Sequence, residues 1–400
     1  MILKKSMKNK TIIKRIILLI KKGLKKSPKG LHDPLFIGNE KKYLNDCINS
    51  GFVSSVGKYV ETFEKKISNF TKTKYAVATV TGTSALHLVL KFYNLTSKDE
   101  VLIPSLTYVA TANAVKYCNA HLNFVDVEKN SLGIDPEKLE NYLKNISKKV
   151  GSSFYNKKTG RKIKALIAVH LYGFPGDLFR IMKICKKYNI ILIEDAAEAL
   201  GSFYKKKHVG TFGEAGILSF NGNKPVTCGG GGMIITNNKK MATKLKHLST
   251  HAKKKHSNDH VHDQIGYNYR MTNLSAAVGC AQLEKVNIIL KAKRDNYKLY
   301  SNIFKNNDQI KILDEPKFSK TNYWLIIANL KNNKLKKELM NALTKEGIKS
   351  RSLWRPLHTL KIFKDCQRDK LENTLNIFNK SINLPSSPGI SYKKKWKKKY

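Results

Sequence analysis

The chain has 400 residues, enough to bury a large core in one large domain or in two domains. Hydrophobic residues at 41% and charged residues at 26% are ordinary for a soluble globular protein and argue against a disordered chain. The net charge of +46 favours either an anionic partner, such as a nucleic acid or a membrane surface, or a lysine bias without a function. Because the lysines are spread over every segment and arginine is scarce, we favour the bias.

Residues 10–26 predict a basic amphipathic helix. Its apolar run, Ile16–Ile20, is too short to span a bilayer, which needs about 20 apolar residues, and no small-residue cleavage site follows it. The helix could touch an anionic membrane, or dock on its own chain or on a partner subunit. The six cysteines are far apart, which argues against a disulfide framework or a zinc site and suits a cytoplasmic protein.

Apolar runs alternate with helical patterns over residues 75–236, after two short helices predicted near residues 40–49 and 59–70. Several runs are continuously apolar, as strands covered on both faces are. The alternation predicts an α/β sheet with helices on both sides. The predicted strands are Tyr75–Thr79, Val101–Pro104, His121–Val127, Ile163–His170, Ile190–Glu194, Ala215–Phe220 and Gly232–Thr236. The helices predicted between them are Ser84–Tyr93, Tyr108–Tyr117, Pro136–Asn145 and Leu178–Tyr188.

The remaining segments predict a smaller α+β domain after the sheet. Residues 156–162 have the composition of a hairpin or surface insertion, and residues 247–263 that of a polar loop. Leu274–Leu290 predicts one long helix, and residues 323–352 predict a strand, a helix and a strand. We expect the lysine-rich residues 391–400 to be frayed. The predicted divisions are an N-terminal helix with a lead-in (1–57), a large domain (58–270), and a long helix with a small domain (271–400).

Lys224 lies between the apolar run Ala215–Phe220 and a turn of four glycines, Gly229–Gly232. This pattern predicts a strand, a lysine loop, a glycine turn and a strand. A lysine held between strands is partly desolvated, which lowers the pKa of its ammonium group and frees the amine as a nucleophile toward a carbonyl. The alternative is an ordinary solvated surface lysine.

Two strand ends carry polar groups that could bind a ligand. Residues 81–87 follow a strand and open a helix, so they could bind a phosphate group or form a plain N-cap. Another strand ends at Glu194 and Asp195, whose side chains point to opposite faces. A carboxylate there could pair with a cationic ligand, or could form a structural ion pair or helix cap.

Three further patterns allow both a functional and a structural explanation. Tyr108 follows a strand and could stack on a planar ligand, although such a tyrosine is more often core. Residues 266–271 could bind phosphate or form a subunit interface, or could simply begin a helix. Five histidines between residues 247 and 262 surround Lys253–Lys255, whose charge would repel a dication, so we expect no metal site.

Five ordered motifs resemble those of the DegT/StrS-type sugar aminotransferases, which depend on pyridoxal 5′-phosphate. The match runs from about Asp33 to the end of the chain and implies an α/β fold of type I, with a mostly parallel seven-stranded sheet and a smaller C-terminal α+β domain. The motifs are Gly82-Thr83-Ser84-Ala85-Leu86-His87, Pro104-Ser105-Leu106-Thr107-Tyr108, Glu194-Asp195-Ala196-Ala197, Ser219 with Lys224 and the glycine turn, and Gly266-Tyr267-Asn268-Tyr269-Arg270-Met271.

The resemblance implies a role for each matching residue. Lys224 and Asp195 are implied as catalytic: Lys224 forms the Schiff base with the cofactor and carries a proton between the sugar C4 and the cofactor, and Asp195 pairs with the pyridine nitrogen. Glu198 stands where the family usually has a glutamine, which puts the contact to the cofactor's ring hydroxyl in doubt. The remaining implied cofactor ligands are Thr83, Ser84 and Ser219 at the phosphate, Tyr108 stacked on the ring, and Asn268 from the partner subunit. Weaker hypotheses for the sugar-nucleotide pocket are His170, Trp354, Arg355 and His358.

Residues 36–43, 53–57, 219–224 and 261–268 are similar to one subgroup of this family. That subgroup transfers the amino group of L-glutamate to C4 of nucleotide-linked 4-keto-6-deoxy-N-acetylhexosamines, on routes to bacillosamine or legionaminic acid. The resemblance implies a cytoplasmic homodimer with shared active sites, without a nucleic-acid partner or a transmembrane segment. The alternatives are a 3-aminotransferase or a perosamine-type synthase on the same scaffold, a dehydratase, against which Lys224 argues, and a basic protein that binds nucleic acid or a membrane surface.

Overall fold

The computed structural model describes residues 2–25, 27–254 and 259–392, with side chains from residue 10 onward apart from these gaps. The strands in chain order are β1 (Tyr75–Thr79), β2 (Asp99–Pro104), β3 (His121–Val125), β4 (Ser147–Val150), β5 (Ser153–Asn156), β6 (Lys162–Val169), β7 (Ile191–Asp195), β8 (Phe203–Tyr204), β9 (Lys207–His208), β10 (Ala215–Ser219), β11 (Gly232–Thr236), β12 (Ile310–Ile312), β13 (Ser319–Lys320), β14 (Ile326–Leu330), β15 (Arg351–Ser352), β16 (Gln367–Arg368) and β17 (Ser381–Leu384).

The helices connect these strands and cover both faces of the main sheet. In chain order they are α1 (Ile2–Leu24), α2 (Glu40–Asn49), α3 (Lys58–Thr71), α4 (Gly82–Phe92), α5 (Val109–Tyr117), α6 (Pro136–Ile146), α7 (Leu178–Lys187), α8 (Lys239–Leu248), α9 (Asn273–Glu284), α10 (Val286–Phe304), α11 (Asn333–Lys345) and α12 (Glu372–Lys380). Of the predicted tail, residues 391–400, only residues 391 and 392 are described.

The main sheet contains all seven predicted strands, in the order β1, β11, β10, β7, β6, β2, β3. The strands from β10 to β3 run parallel to their neighbours, whereas β11 is antiparallel to both β1 and β10. All residues of β2 are buried: Val101 and Ile103 pack on one face of the sheet and Leu102 packs on the other. This two-sided burial explains the continuous apolar runs in the sequence and confirms the predicted α/β fold.

Two additions extend this sheet beyond the predicted strands. The β4–β5 hairpin joins β6, with Tyr155 opposite Lys162, so the segment predicted as a hairpin is the turn between β5 and β6. Strand β16 pairs in parallel with β3 at the sheet edge. Its two polar residues, Gln367 and Arg368, give no apolar run from which a strand could be predicted.

The C-terminal part contains an antiparallel sheet in the order β12, β14, β17, β15. The prediction of one helix over Leu274–Leu290 is wrong, because α9 and α10 meet at Lys285, where φ is −107° and ψ is 6°. Helix α9 packs beside α2 and α3, whereas α10 packs beside α1 and β12. The chain therefore changes direction where it passes from one packing layer to the next.

The apolar side of the N-terminal helix α1 packs into the protein's own core. Ile16, Ile20 and Leu24 are fully buried, and Gly23 lies against Leu299 and Ile303 of α10. The Lys21 ammonium pairs with Glu346 just past α11. Of the three interactions considered for this helix, docking on its own chain is the one observed for the apolar face.

Candidate active site

A pocket of about 280 Å³ lies at the C-terminal ends of β7 and β10, beside the start of α4. Parallel sheets commonly bind ligands at this edge, because the connecting loops and helix starts converge there. The residues that line it are Thr81, Gly82, Thr83, Leu86, Thr107, Tyr108, Ala110, Thr111, Val169, Asp195, Ala197, Glu198, Ser219, Asn221, Asn223, Lys224, Gly230, Gly231, Trp324 and Trp354.

Lys224 is buried in the loop between β10 and β11, with 8% of its surface exposed. Its backbone N–H donates to Asn221 O at 2.9 Å, which forms a turn and directs the side chain into the pocket. The Nζ atom lies 4.0 Å from the centroid of the Trp324 ring and 3.5 Å from Glu198 Oε1. Burial lowers the pKa of this ammonium group, although the nearby carboxylates act in the opposite direction. The amine is therefore easier to deprotonate than that of a surface lysine.

Asp195, the last residue of β7, presents its carboxylate to the same pocket. The Thr111 hydroxyl donates to Oδ2 at 2.7 Å, and the Ala197 N–H donates to Oδ1 at 3.2 Å. Among the described residues, no Lys, Arg or His forms an ion pair with it, although only 9% of Asp195 is exposed. A buried carboxylate in this position fits a cationic ligand, such as a protonated pyridine nitrogen.

The start of α4 forms an anion site on another side of the pocket. Thr81 and Ser84 make a capping box, in which the Ser84 N–H donates to Thr81 Oγ1 at 3.0 Å. The cap leaves the N–H groups of Gly82 and Thr83 at the helix start for a ligand. A Cβ atom at Gly82 would lie 3.1 Å from the Ser219 Cβ, so any larger residue there would press on Ser219. Thr83 and Ser219 line the pocket, whereas the Ser84 hydroxyl is occupied by the cap.

Glu198 is buried beside Lys224 and accepts several hydrogen bonds. Its Oε2 accepts the Tyr172 N–H at 2.7 Å, and its Oε1 accepts the Trp354 indole N–H at 3.3 Å. Burial raises the pKa of this carboxyl group, and the charge of Lys224 only partly offsets that effect. Glu198 can therefore carry a proton more readily than a surface glutamate does.

Three rings form an aromatic wall, defined as Trp324, Tyr172 and Trp354. The Tyr172 ring is stacked with Trp324 at 5.8 Å and with Trp354 at 6.2 Å. The Trp324 indole N–H donates to Asn223 O at 2.6 Å, which ties this wall to the lysine loop. Tyr108, half exposed, lies 4.8 Å from the Trp354 ring and borders the opening of the pocket. The structure thus offers flat apolar faces to a planar ligand.

The other predicted site residues do not line this pocket. Buried His170 faces Glu194, with its Nε2 atom 2.9 Å from Oε2, because Glu194 and Asp195 point to opposite sides of β7. Arg355 is exposed, and His358 Nδ1 is engaged with the Ser105 hydroxyl at 2.7 Å. Asn268 is exposed, forms a β-bridge with Thr250 and does not line the pocket. Of the four residues proposed for substrate binding, only Trp354 reaches the pocket.

The histidine-rich loop does not form a metal cluster in its described part. His247 Nε2 lies 2.7 Å from Asp263 Oδ1, and His262 Nδ1 lies 2.8 Å from the His251 carbonyl oxygen. His256 lies outside the described residues. Among the residues with coordinates, no group of three His, Cys, Asp or Glu side chains is arranged for a metal ion. No helix in those same ranges is both long and apolar enough to span a bilayer.

Reasoning from the sequence assigned no role to Thr111, Tyr172, Asn223 or Trp324. Thr111 lies three residues beyond the second motif, and a threonine near the start of a helix has many uses. Tyr172 adopts the left-handed conformation at φ 54°, which no single residue type signals. Trp324 comes from a distant segment, and its position depends on how the two sheets meet.

Comparison with known proteins agrees with this site. Residues 36–395 match the DegT/DnrJ/EryC1/StrS aminotransferase family. The GDP-perosamine synthase of Escherichia coli O157:H7 is 36% identical over 90% of this chain and 94% of that protein. The UDP-4-amino-4,6-dideoxy-N-acetyl-beta-L-altrosamine transaminase of Campylobacter jejuni serotype O:23/36 is 32% identical over 88% of this chain and 89% of that protein.

Among solved structures, the aminotransferase PseC of Helicobacter pylori superposes with a TM-score of 0.81 at 25% identity, over 89% of this chain and 93% of that one. The donor set fits pyridoxal phosphate, because it combines an amine, a carboxylate without a cation and an anion site in one pocket. The chain belongs to the DegT/DnrJ/EryC1/StrS aminotransferase family, whose cofactor is pyridoxal 5′-phosphate.

Proposed function

We propose that this protein is a nucleotide-sugar aminotransferase that moves the amino group of L-glutamate to C4 of a nucleotide-linked 4-keto-6-deoxy-N-acetylhexosamine. The proposal rests on one observation: Lys224, Asp195 and the start of α4 line the same pocket. Membership of the aminotransferase family supports the reaction type. The C4 position is supported by the Campylobacter relative, whose name describes a 4-amino-4,6-dideoxy sugar transaminase.

Several residues would hold the cofactor. Asp195 would pair with its ring nitrogen, and Thr83, Ser219 and the helix N–H groups would bind its phosphate. Tyr108 would stack on the ring, and Glu198 would approach the ring hydroxyl. When bound, pyridoxal phosphate supplies an electrophilic carbonyl to carry the amino group and a ring that accepts electrons.

Lys224 would then move protons. Its desolvated amine can take a proton from Cα of glutamate and, in the second half of the reaction, deliver one to C4 of the sugar. The aromatic wall limits the water around Nζ, so the amine stays available for this transfer. Glu198 stabilises the protonated form of Lys224 between the two transfers.

A perosamine-type synthase is the second candidate. The E. coli relative with that name is 36% identical, and a Vibrio cholerae protein of the same name is 38% identical over 90% of this chain. This candidate would use a GDP-linked sugar in place of a UDP-linked N-acetyl sugar. Both substrates carry a diphosphate, which the net charge of +46 would attract.

We further propose that the protein is a cytoplasmic homodimer. Each chain would divide into an N-terminal part (1–57), a large domain (58–270) and a C-terminal part (271–400). Asn268 would reach the phosphate site of the partner, a role supported by its exposure in its own subunit. The separate antiparallel sheet formed by β12, β14, β17 and β15 supports a small C-terminal domain, although β16 returns to the main sheet.

The reaction is tested with Lys224→Ala and with Lys240→Ala, which changes an exposed lysine on α8. The first variant should lose transamination but keep weak cofactor binding, and the second should keep full activity. Amino transfer from L-glutamate, followed as 2-oxoglutarate formation with the keto sugar, checks both. Retained amino transfer by the Lys224→Ala variant would contradict the mechanism.

The substrate is tested by supplying two keto sugars to the wild-type enzyme after glutamate. One is a UDP-linked 4-keto-6-deoxy-N-acetylhexosamine, and the other is a GDP-linked 4-keto-6-deoxyhexose. Higher kcat/KM for the first supports the primary proposal, and higher kcat/KM for the second assigns the perosamine-type activity. Mass spectrometry and NMR of the product identify the aminated carbon.

A further inference from the structure

The outward side of α1 is a basic stripe, defined as Lys10, Lys14, Leu18, Lys22 and Lys25. These residues recur every three or four positions and are exposed, and Leu18 has 65% of its surface accessible. None of the four lysines forms an ion pair with a described residue; the one such pair on α1 is made by Lys21. Because the apolar side of the helix is already buried, the stripe is held in a fixed orientation.

The positive charge is concentrated at the two ends of the sequence, contrary to the even spread assumed above. Residues 1–32 contain eleven Lys or Arg and no Asp or Glu, and residues 373–400 contain seven and again none. These 60 residues therefore carry 18 of the 46 net charges, in 15% of the chain. A uniform lysine bias does not account for this distribution.

The fold places residues 27–28, just past α1, against residues 389–390. The Ser27 hydroxyl donates to Ile390 O at 3.4 Å, and Gly389 lies against Pro28, just past the end of α1. The sequence continues from there with Lys-Lys-Lys-Trp-Lys-Lys-Lys-Tyr, residues 393–400. Lysine runs interrupted by aromatic residues are typical of segments that adsorb to membrane interfaces.

We propose that the basic stripe of α1 is a docking surface for an anionic phospholipid membrane. The composition favours lipid over nucleic acid, because the charge is lysine around an exposed leucine, with Arg15 as the one arginine in residues 1–32. The protein adsorbs by charge and does not insert α1, whose apolar side is buried in the core. The stripe precedes residue 36, where the match to the aminotransferase family begins, so it lies outside the part of the chain that matches that family.

The test is co-sedimentation of the full-length protein with phosphatidylcholine vesicles that contain or lack phosphatidylglycerol. The stripe variant K10Q/K14Q/K22Q/K25Q keeps good helix formers in α1, so the fold is preserved. The control K144Q/K148Q/K149Q/K158Q removes the same number of exposed lysines around α6, β4 and the turn after β5.

We expect wild type to bind only the anionic vesicles and to release them at high salt. The stripe variant should bind at least about tenfold more weakly, whereas the control should bind like wild type and both should keep normal transamination. Equal losses in the two variants, or no binding by wild type, would overturn the proposal. Binding of a single-stranded RNA that depends on the stripe, without vesicle binding, would also overturn it and assign the surface to nucleic acid.

Discussion

The chemistry of the site depends on how one buried amine and two buried carboxylates share charge. Lys224 loses hydration inside the pocket, which favours its neutral form, and Glu198 at 3.5 Å favours its charged form. Asp195 contributes in the same direction as Glu198 from the other side of the pocket. The protonation state of the Lys224 amine is therefore sensitive to small changes in the nearby charge.

We predict that Glu198→Gln lowers the pKa of Lys224 further, because the variant removes a negative charge that raises it. The rate at which cofactor-free enzyme captures pyridoxal phosphate should then rise at a lower pH, since capture needs the neutral amine. Visible absorbance measured across pH checks this. Glu284→Gln, which removes a carboxylate paired with Lys66, is the matched control and should leave the midpoint unchanged. An unchanged or higher midpoint in Glu198→Gln would contradict the prediction.

Glu194 is a structural carboxylate, and we predict that Glu194→Gln costs roughly 3–5 kcal/mol of stability. Its oxygens accept the N–H groups of Gly210, Phe212 and Gly213, and an amide would place N–H groups against them. Urea unfolding checks this, with Glu140→Gln, at a solvent-exposed ion pair, as the control that should change little.

The same carboxylate should make stability depend on pH. Burial alone would raise the pKa of Glu194, but His170 and the backbone donors outweigh burial and keep the pKa below the ordinary 4.5. Because the folded-state pKa is lowered, the contribution of Glu194 is complete above its unfolded-state pKa and is lost as the pH falls through the folded-state pKa. The difference between wild type and Glu194→Gln should therefore narrow in acid, and a constant difference would contradict this account.

At the level of elements, local patterns in the sequence predicted the main sheet. All seven central strands were predicted, and several of them are apolar runs covered on both faces. Local pattern left residues 81–87 and Asp195 open between a ligand site and a cap or ion pair, and the family resemblance implied their roles at the cofactor. Strand β16 and the break at Lys285 were missed, since both depend on packing between distant segments. The capping role of Ser84 was considered only as an alternative, because a cap and a phosphate ligand need the same residues.

Helix α1 allows a matched pair of substitutions on its two sides. We predict that Ile16→Ala, at a fully buried position, lowers the free energy of opening the helix by roughly 2–4 kcal/mol, because it leaves a cavity. Leu18→Ala, at a position with 65% exposure, should change it by less than about 0.5 kcal/mol. Native-state hydrogen exchange of the α1 amides measures both values. Equal effects would mean that α1 does not dock as described.

At the scale of the molecule, the site depends on contact between the two sheets. The Asn322 side chain, which precedes β14, donates to the Glu198 and Leu200 carbonyl oxygens at 2.9 Å. Lys293 of α10, fully buried, donates to Trp324 O at 2.6 Å and so supports the aromatic wall from behind. The two Asn322 contacts join residues more than 100 positions apart, which explains why the wall could not be predicted from sequence.

The proposed homodimer predicts that two inactive or weakened variants restore each other. Lys224→Ala lacks the amine in its own pocket, and Asn268→Ala lacks the group that it would offer to the partner's phosphate site. In a mixed dimer, one site has both native residues and the other has neither. Subunits mixed after mild dissociation should therefore recover up to about one quarter of wild-type activity, because half of the random dimers are mixed and each has one intact site. Activity that never exceeds the average of the two separate variants would mean that each subunit holds a complete site.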